Sequence, residues 1–208
     1  SDALQSIDFV IAHDDPQYHK VQSESFMSLP DGKPLSIIGK KSFPNMERVT
    51  GPDLMREIFV ESKKRNLRHF FYGNTKENLE KLIQVLKHDY PYLSVAGYEA
   101  SVFRDMSAEE ESALANRINS TKPDFVWVAL GVPRQECFCY RMKNRINGVM
   151  VGVGGAFNVL AGIVPEAPKW MQNLSLEWLY RLLQEPKRLF KRYAITNTKF
   201  LWYLVMKH

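Results

Sequence analysis

A carboxylate in a tight turn is the first group in this sequence that could do chemistry. Asp31 follows a short apolar segment and stands in a Pro-Asp-Gly turn, which predicts that a strand ends here. A carboxylate at a strand end can act as a general base when partial burial tunes its pKa. The alternative is that this Pro-Asp-Gly sequence is only a turn.

Three further polar side chains stand where a loop could hold an anionic or sugar ligand. Arg48 precedes an expected helix start, and its planar fork of donors suits a diphosphate, although a surface salt bridge is the alternative. Gln135 and Glu136 open an expected helix just after Gly131. They could bond sugar hydroxyls or a uracil edge beside a helix N-terminus that favours phosphate, or Glu136 could simply complement the helix dipole.

A glycine turn supplies backbone donors for the same kind of ligand. An apolar run leads into Gly152, Gly154 and Gly155, and a short apolar segment follows. This pattern predicts a buried strand that is followed by a short helix. The backbone N–H groups of the turn between them could point toward an anion. A tight turn without a ligand remains the alternative. The stretch lacks the third glycine of a dinucleotide fingerprint and follows the last strand, which argues against a dehydrogenase.

Helices and strands alternate along the chain and predict how these groups are positioned. Five apolar segments read as strands, at residues 25–30, 68–72, 93–98, 124–131 and 149–152. Helices are expected between them, with Thr50, Thr75 and Ser107 as start signals, and residues 1–20 also read as an interrupted helix. The pattern indicates an α/β fold with a mostly parallel sheet covered on both faces by helices. Ligands then bind at the carboxyl ends of the strands.

Composition excludes several classes of protein. With 45% hydrophobic and 25% charged residues the chain is an ordinary globular protein, and no apolar run is long enough to span a membrane. No signal peptide is visible, and the first residue is Ser rather than Met. Cys137 and Cys139 predict incidental thiols in a reducing compartment, and the histidines show no metal-ligand spacing.

The basic character belongs to the C-terminal segment. Residues 181–208 contain seven basic residues and one acid, whereas the whole chain has a net charge of +5. The body is therefore close to neutral, which argues against a nucleic-acid partner. On one helix, Arg181, Arg188, Arg192 and Lys199 would form a stripe opposite an apolar face. This predicts a helix bound to a membrane surface, and packing against the core or a second copy in a homo-oligomer is the alternative.

Several motifs together resemble the WecG/TagA/CpsF family of bacterial glycosyltransferases. They are PDG, ERVTGPDL, GVPRQE, VGVGGAFNVLAG and APKWMQNLSLEWLYRLLQEPKRLFKRY, and they cover nearly the whole chain. The resemblance implies a Rossmann-like fold with a C-terminal amphipathic appendage. It also implies an inverting, metal-independent enzyme that moves N-acetylmannosamine or a related hexose from a UDP-sugar. The acceptor would be a polyprenyl-diphosphate-linked sugar on the inner face of the plasma membrane, in the synthesis of teichoic acid, common antigen, capsule or exopolysaccharide.

The resemblance also assigns roles and boundaries. It makes Asp31 the base, and Arg48 and Gln135 substrate-binding residues. From their places in the loops, we expect Gly131, Glu136, Gly154, Gly155 and Asn158 to bind the substrate as well. Arg181, Arg188, Lys191 and Arg192 would hold the lipid diphosphate. Residues 1–180 would be the glycosyltransferase domain, which is expected to begin after the family's first strand, and residues 181–208 the membrane-associating tail.

Two residues depart from the family's pattern near the glycine turn. Asn158 stands where the family has an acid, and Glu166 stands where it has Arg. We expect these changes to affect the donor sugar more than the reaction. The rival functions are a catalytically inert module that binds lipid diphosphate or membrane, and a nucleotide-binding regulator.

Overall fold

The computed structural model shows a parallel sheet flanked by helices. The residues that it describes are 2–4, 6–31, 36, 40, 43–45, 47–173, 176–184, 186, 198–199 and 202. The strands are β1 (Asp2–Leu4), β2 (Ser28–Pro30), β3 (Arg68–Gly73), β4 (Ser94–Glu99), β5 (Phe125–Ala129) and β6 (Val149–Gly152). The helices are α1 (Ser6–Asp14), α2 (Pro16–Ser23), α3 (Gly51–Arg65), α4 (Lys76–Asp89), α5 (Ala108–Ser120), α6 (Arg134–Met142), α7 (Ala156–Leu160), α8 (Lys169–Asn173) and α9 (Glu177–Gln184).

The strands form one sheet in the order β2-β1-β6-β5-β3-β4, and every neighbouring pair is parallel. The chain passes from β3 outward to β4, but from β5 it moves in the opposite direction to β6. This reversal opens a crevice at the carboxyl ends of β3 and β5, where ligands bind in folds of this kind. The predicted α/β fold with a Rossmann-like parallel sheet is confirmed.

Alternating side chains of the central strands build a core on each face of the sheet. Phe71, Trp127 and Val151 pack with α3, α4 and α7 on one face. Phe70, Val126 and Val128 pack with α5 and α6 on the other. Because both faces are covered, the strands are apolar on both sides, as the sequence pattern required.

Helix starts agree with the expected signals. Thr50 accepts a hydrogen bond from the Asp53 N–H, Thr75 accepts one from the Asn78 N–H, and Ser107 forms a capping box with Glu110. These side chains satisfy N–H groups that the first helical turn leaves without partners. Helix α6 ends at Met142, with Lys143 as its C-cap.

The interpretation of residues 1–20 as one interrupted helix is wrong at its start. Asp2–Leu4 forms β1, which pairs with Ser28–Pro30 on one side and with Gly152 on the other. Pairing with distant strands therefore overrides the local helical pattern, because strand formation depends on neighbours that local sequence does not show. The predicted interruption is confirmed, since α1 ends at Asp14 and Asp15 caps α2.

A buried histidine belongs to the core. His69 is fully buried on β3, Trp127 Nε1 donates to its Nδ1 at 3.1 Å, and its Nε2 lies 2.8 Å from Ser62 Oγ. Ser62 Oγ in turn donates to the Ile58 carbonyl. The neutral ring thus donates from Nε2 and accepts at Nδ1, and protonation at Nδ1 would point a second N–H at Trp127. Burial lowers the pKa of His69 from 6.5 to about 4, against a smaller opposing effect of Asp124.

We predict that His69 makes the protein less stable as the pH falls from about 6.5 to 4. In this window the unfolded chain binds a proton at residue 69 that the folded chain excludes. The free energy of unfolding therefore decreases as the pH is lowered, and the decrease is complete below about pH 4. The two pKa values imply a loss of up to about 3 kcal/mol. Urea unfolding between pH 7.5 and 4.5 measures it. His69→Gln should flatten the dependence, whereas His88→Gln, at an exposed position, should keep it; equal slopes in all three proteins would contradict the prediction.

Candidate active site

Asp31 and Arg48 lie together in a pocket at the carboxyl end of the sheet. Arg48 Nη2 is 3.6 Å from Asp31 Oδ1, and Arg48 Nε donates to the backbone carbonyl of Asp31. The two side chains are only 20% and 17% exposed. Partial burial strengthens their electrostatic interaction relative to a surface pair. We call this cavity the Asp31 pocket; its other lining residues include Thr50, Pro52, Val159, Gln172, Glu177 and Tyr180.

Glu177 is the third charged group of the Asp31 pocket, and the sequence did not predict it. Its carboxylate accepts from both arms of the Arg48 guanidinium, from Nη1 at 2.8 Å and from Nη2. Burial by itself lowers the pKa of Arg48, but the hydrogen bonds and charge of Glu177, with Asp31 and Asp53, raise it above its ordinary value. Arg48 is therefore a permanent cation held between two carboxylates.

The first turn of α3 forms one wall of this pocket. A side chain at Gly51 would stand 3.0 Å from the Val153 carbonyl, so glycine allows the helix to begin against the segment that leaves β6. At the rim of the pocket, Arg56 pairs with Asp53 at 3.3 Å and with Glu166 at 2.9 Å. The pocket thus has an inner ion pair around Arg48 and a more exposed outer one around Arg56.

The predicted glycines and Gln135 are brought together beside the glycine turn. Gln135 is buried, its Oε1 accepts from the Gly131 N–H at 3.2 Å, and its Nε2 donates to Glu136 at 2.8 Å. A side chain at Gly154 would stand 3.4 Å from Gln135 Oε1. Gly131 and Gly154 both have positive φ, of 77° and 50°, which favours glycine. The carboxamide of Gln135 therefore lies between the two loops, and its contact with a sugar stays a prediction.

Asn158 joins the glycine turn to the end of β3. Its Oδ1 accepts from Asn74 Nδ2 at 2.6 Å and from Asn78 Nδ2 at 3.4 Å. Asn74 has a φ of 64° and turns the chain directly after β3. A neutral amide thus holds the position at which the resemblance expects an acid. Two amide donors fix it, one from the turn after β3 and one from α4.

A larger cavity of about 250 Å³ lies at the carboxyl ends of β3 and β5, which we call the β3–β5 cavity. Tyr72, Met106 and Phe138 line it together with Phe103, Arg104 and Arg134. Tyr72 and Phe138 stack at 4.9 Å, while Phe103 is 59% exposed. Arg104 pairs with Glu110, whereas Arg134 donates to the Arg104 carbonyl. Sequence reasoning missed this cavity, although an aromatic and a basic residue shortly after a strand end were a usable signal.

The predicted lipid-diphosphate residues belong to the C-terminal segment. Arg181 lies in α9, whereas Arg188, Lys191 and Arg192 lie outside the described residues. Helix α9 spans the predicted domain boundary at residue 180. In the part of the chain that the structure describes, no helix is both long and apolar enough to cross a membrane.

The fold and the pocket define an α/β enzyme with a carboxylate and a cation at the carboxyl rim of a parallel sheet. The sequence model of the Glycosyl transferase WecG/TagA/CpsF family matches residues 4–208. The chain belongs to this family, and it is a glycosyltransferase.

Two relatives from Bacillus share about a third of its residues. A protein of Bacillus spizizenii strain W23 is 35% identical over 179 residues, which are 85% of this chain and 68% of the relative. A protein of Bacillus subtilis strain 168 is 33% identical over 192 residues, 89% of this chain and 73% of the relative. Both are named N-acetylglucosaminyldiphosphoundecaprenol N-acetyl-beta-D-mannosaminyltransferase.

Proposed function

We propose that this glycosyltransferase moves N-acetylmannosamine, or a closely related hexose, from UDP to a sugar linked to polyprenyl diphosphate. The names of the two relatives support the acceptor and the sugar. The structural observation that carries the proposal is the pairing of Asp31 with Arg48 in a half-buried pocket at the carboxyl rim. That pair provides a base and a cation, which are the two groups that a single displacement at a sugar carbon requires.

In the proposed reaction, Asp31 removes the proton from the acceptor hydroxyl. The hydroxyl oxygen attacks the anomeric carbon as the bond from that carbon to the UDP oxygen breaks, so the configuration inverts. Negative charge develops on the leaving diphosphate, and the permanent cation Arg48 stabilises it. Arg48 offsets part of the charge on the leaving diphosphate, and the metal independence that the resemblance implies stays a prediction.

We place the nucleoside of the donor in the β3–β5 cavity. The cavity lies at the reversal point of the sheet, where nucleotides bind in folds of this type. The exposed ring of Phe103 offers a face for a base to stack on, and Arg134 offers a cation for a phosphate. Gly131, Gln135 and Gly154 would then line the path of the diphosphate toward Arg48.

The acceptor carries a polyprenyl chain, so we propose that the enzyme works on the inner surface of the plasma membrane. Apolar side chains are exposed in the C-terminal part of the chain: Trp170 is 59%, Leu183 71% and Trp202 62% exposed. Together with the basic residues of the tail, they suit an interfacial contact with anionic lipid.

Release of UDP tests the proposed function. Purified protein is incubated with UDP-N-acetylmannosamine, UDP-N-acetylglucosamine or UDP-glucose, each with and without a polyprenyl-diphosphate-linked N-acetylglucosamine. We expect acceptor-dependent release with UDP-N-acetylmannosamine, at a rate well above that with the other two donors. UDP release at the same rate with and without the acceptor would contradict the proposed reaction. Faster release from another donor would contradict the proposed sugar. No turnover with any donor would favour an inert module that binds lipid diphosphate.

A further inference from the structure

Glu177 occupies the part of Arg48 that a phosphate would use. Both arms of the guanidinium donate to its two carboxylate oxygens. This two-pronged geometry is the one in which arginine binds phosphate, so a carboxylate and a phosphate oxygen pair compete for the same donors. In the structure, the protein's own anion holds the site that the proposed reaction needs for a diphosphate.

The same contact keeps the Asp31 pocket small. Its cavity volume is about 50 Å³, whereas sites for small molecules usually measure roughly 300–1,000 Å³. Glu177 is the first residue of α9, and Tyr180 of that helix also lines the pocket. A movement of α9 away from Arg48 would therefore widen the pocket for a sugar.

The charges around Arg48 oppose simultaneous occupation. Asp31 and Glu177 already place two carboxylates on one guanidinium, and neither is more than 25% exposed. A diphosphate brought to Arg48 would add negative charge beside both, at a place where water screens it poorly. Glu177 is the group that a diphosphate would displace, because its carboxylate takes both arms of the guanidinium, whereas Asp31 Oδ1 lies 3.6 Å from Nη2.

We propose that Glu177 is a positioning residue that keeps the pocket closed until a diphosphate replaces its carboxylate on Arg48. The exchange releases α9 from the body and frees Arg48 for the phosphate oxygens. The proposal rests on the proposed function, because it assumes that the anion of the substrate is a diphosphate. Helix α9 thus covers the pocket before the substrate binds, and the diphosphate of the arriving substrate opens it.

Binding affinity tests the competition. Titration calorimetry with UDP and with geranyl diphosphate compares the wild-type chain with Glu177→Gln and Glu61→Gln. Removing the competing carboxylate should tighten binding of the displacing diphosphate about tenfold, as expected for one charge-assisted contact. The two ligands show whether the donor or the lipid side supplies it. Glu61→Gln removes an exposed carboxylate that pairs with Lys64 on α3 and does not line the pocket, so its affinity should stay within about twofold of wild type.

A purely structural role of Glu177 predicts the opposite change in affinity. If Glu177 merely held Arg48 in position for the ligand, Glu177→Gln would weaken binding. Unchanged or weaker binding of both ligands therefore overturns the proposal.

Hydrogen exchange tests the closure without any ligand. In Glu177→Gln, amides of α9 should exchange about ten times faster than in wild type, and those in Glu61→Gln should not. Equal exchange in all three proteins overturns the proposed closure. Neither measurement depends on turnover. If Glu177→Gln tightens diphosphate binding and speeds exchange in α9 but the enzyme transfers no sugar, the closure is supported and the proposed function is wrong. Normal sugar transfer with unchanged affinity and unchanged exchange would support the proposed function and overturn the closure.

Discussion

Replacing Asp31 by asparagine should lower kcat by about 10²–10⁴-fold, the range for loss of a general base. Asparagine keeps the size of the side chain, and its oxygen can still accept from the Arg48 Nη2 that now lies 3.6 Å from the carboxylate. The backbone carbonyl of residue 31, which receives the Arg48 Nε–H, is unchanged. We therefore expect KM values within a few-fold of wild type. Steady-state UDP release at saturating acceptor measures the effect.

Asp53 provides the matched control for this experiment. It lines the same pocket but is 57% exposed and pairs with Arg56 rather than with Arg48. Asp53→Asn removes an equal charge from the same wall and should keep kcat within about twofold of wild type. If Asp31→Asn turned over like Asp53→Asn, Asp31 would not be the base.

The elements that position this site could be read from local sequence, because each carries its own start signal. Thr50, Thr75 and Ser107 accept the hydrogen bonds that the pattern predicted, and the central strands are apolar on both faces as a covered parallel sheet demands. The strand β1 could not be read in this way. Its three residues are a strand only because β2 and β6 lie on either side, and neither neighbour is visible within a local window.

Some residues of the site could likewise be predicted from local sequence, and others could not. Asp31, Gly131 and Gly154 follow strands, and parallel strands bring their carboxyl ends to one rim, so their grouping at this rim was predictable. Glu177 is 129 residues from its partner Arg48, and it reads in the sequence as an ordinary acid at a helix start. The pairing of Asn158 with Asn74 also depends on how a loop after β3 meets α7. Such contacts arise from packing, which residue types and spacing do not encode.

Removing the Arg48 side chain should have the second large effect. Arg48→Ala deletes the cation that faces the leaving diphosphate, so we expect kcat/KM to fall by about 10²–10³-fold, as for loss of one preorganised donor. It also leaves the carboxylates of Asp31 and Glu177 half-buried without their shared partner. Stability should therefore fall by about 1–3 kcal/mol, measured by urea unfolding. Arg56→Ala, at the outer ion pair, should change kcat/KM by no more than about twofold.

The double variant Arg48→Ala with Glu177→Gln separates the catalytic effect from the structural one. Neutralising Glu177 removes one of the two stranded charges, so much of the lost stability should return. The leaving diphosphate still lacks its cation, so turnover should remain as low as in Arg48→Ala. Recovery of stability and turnover together would show that Arg48 acts only by holding α9 in place. Recovery of stability alone requires that its guanidinium acts on the substrate.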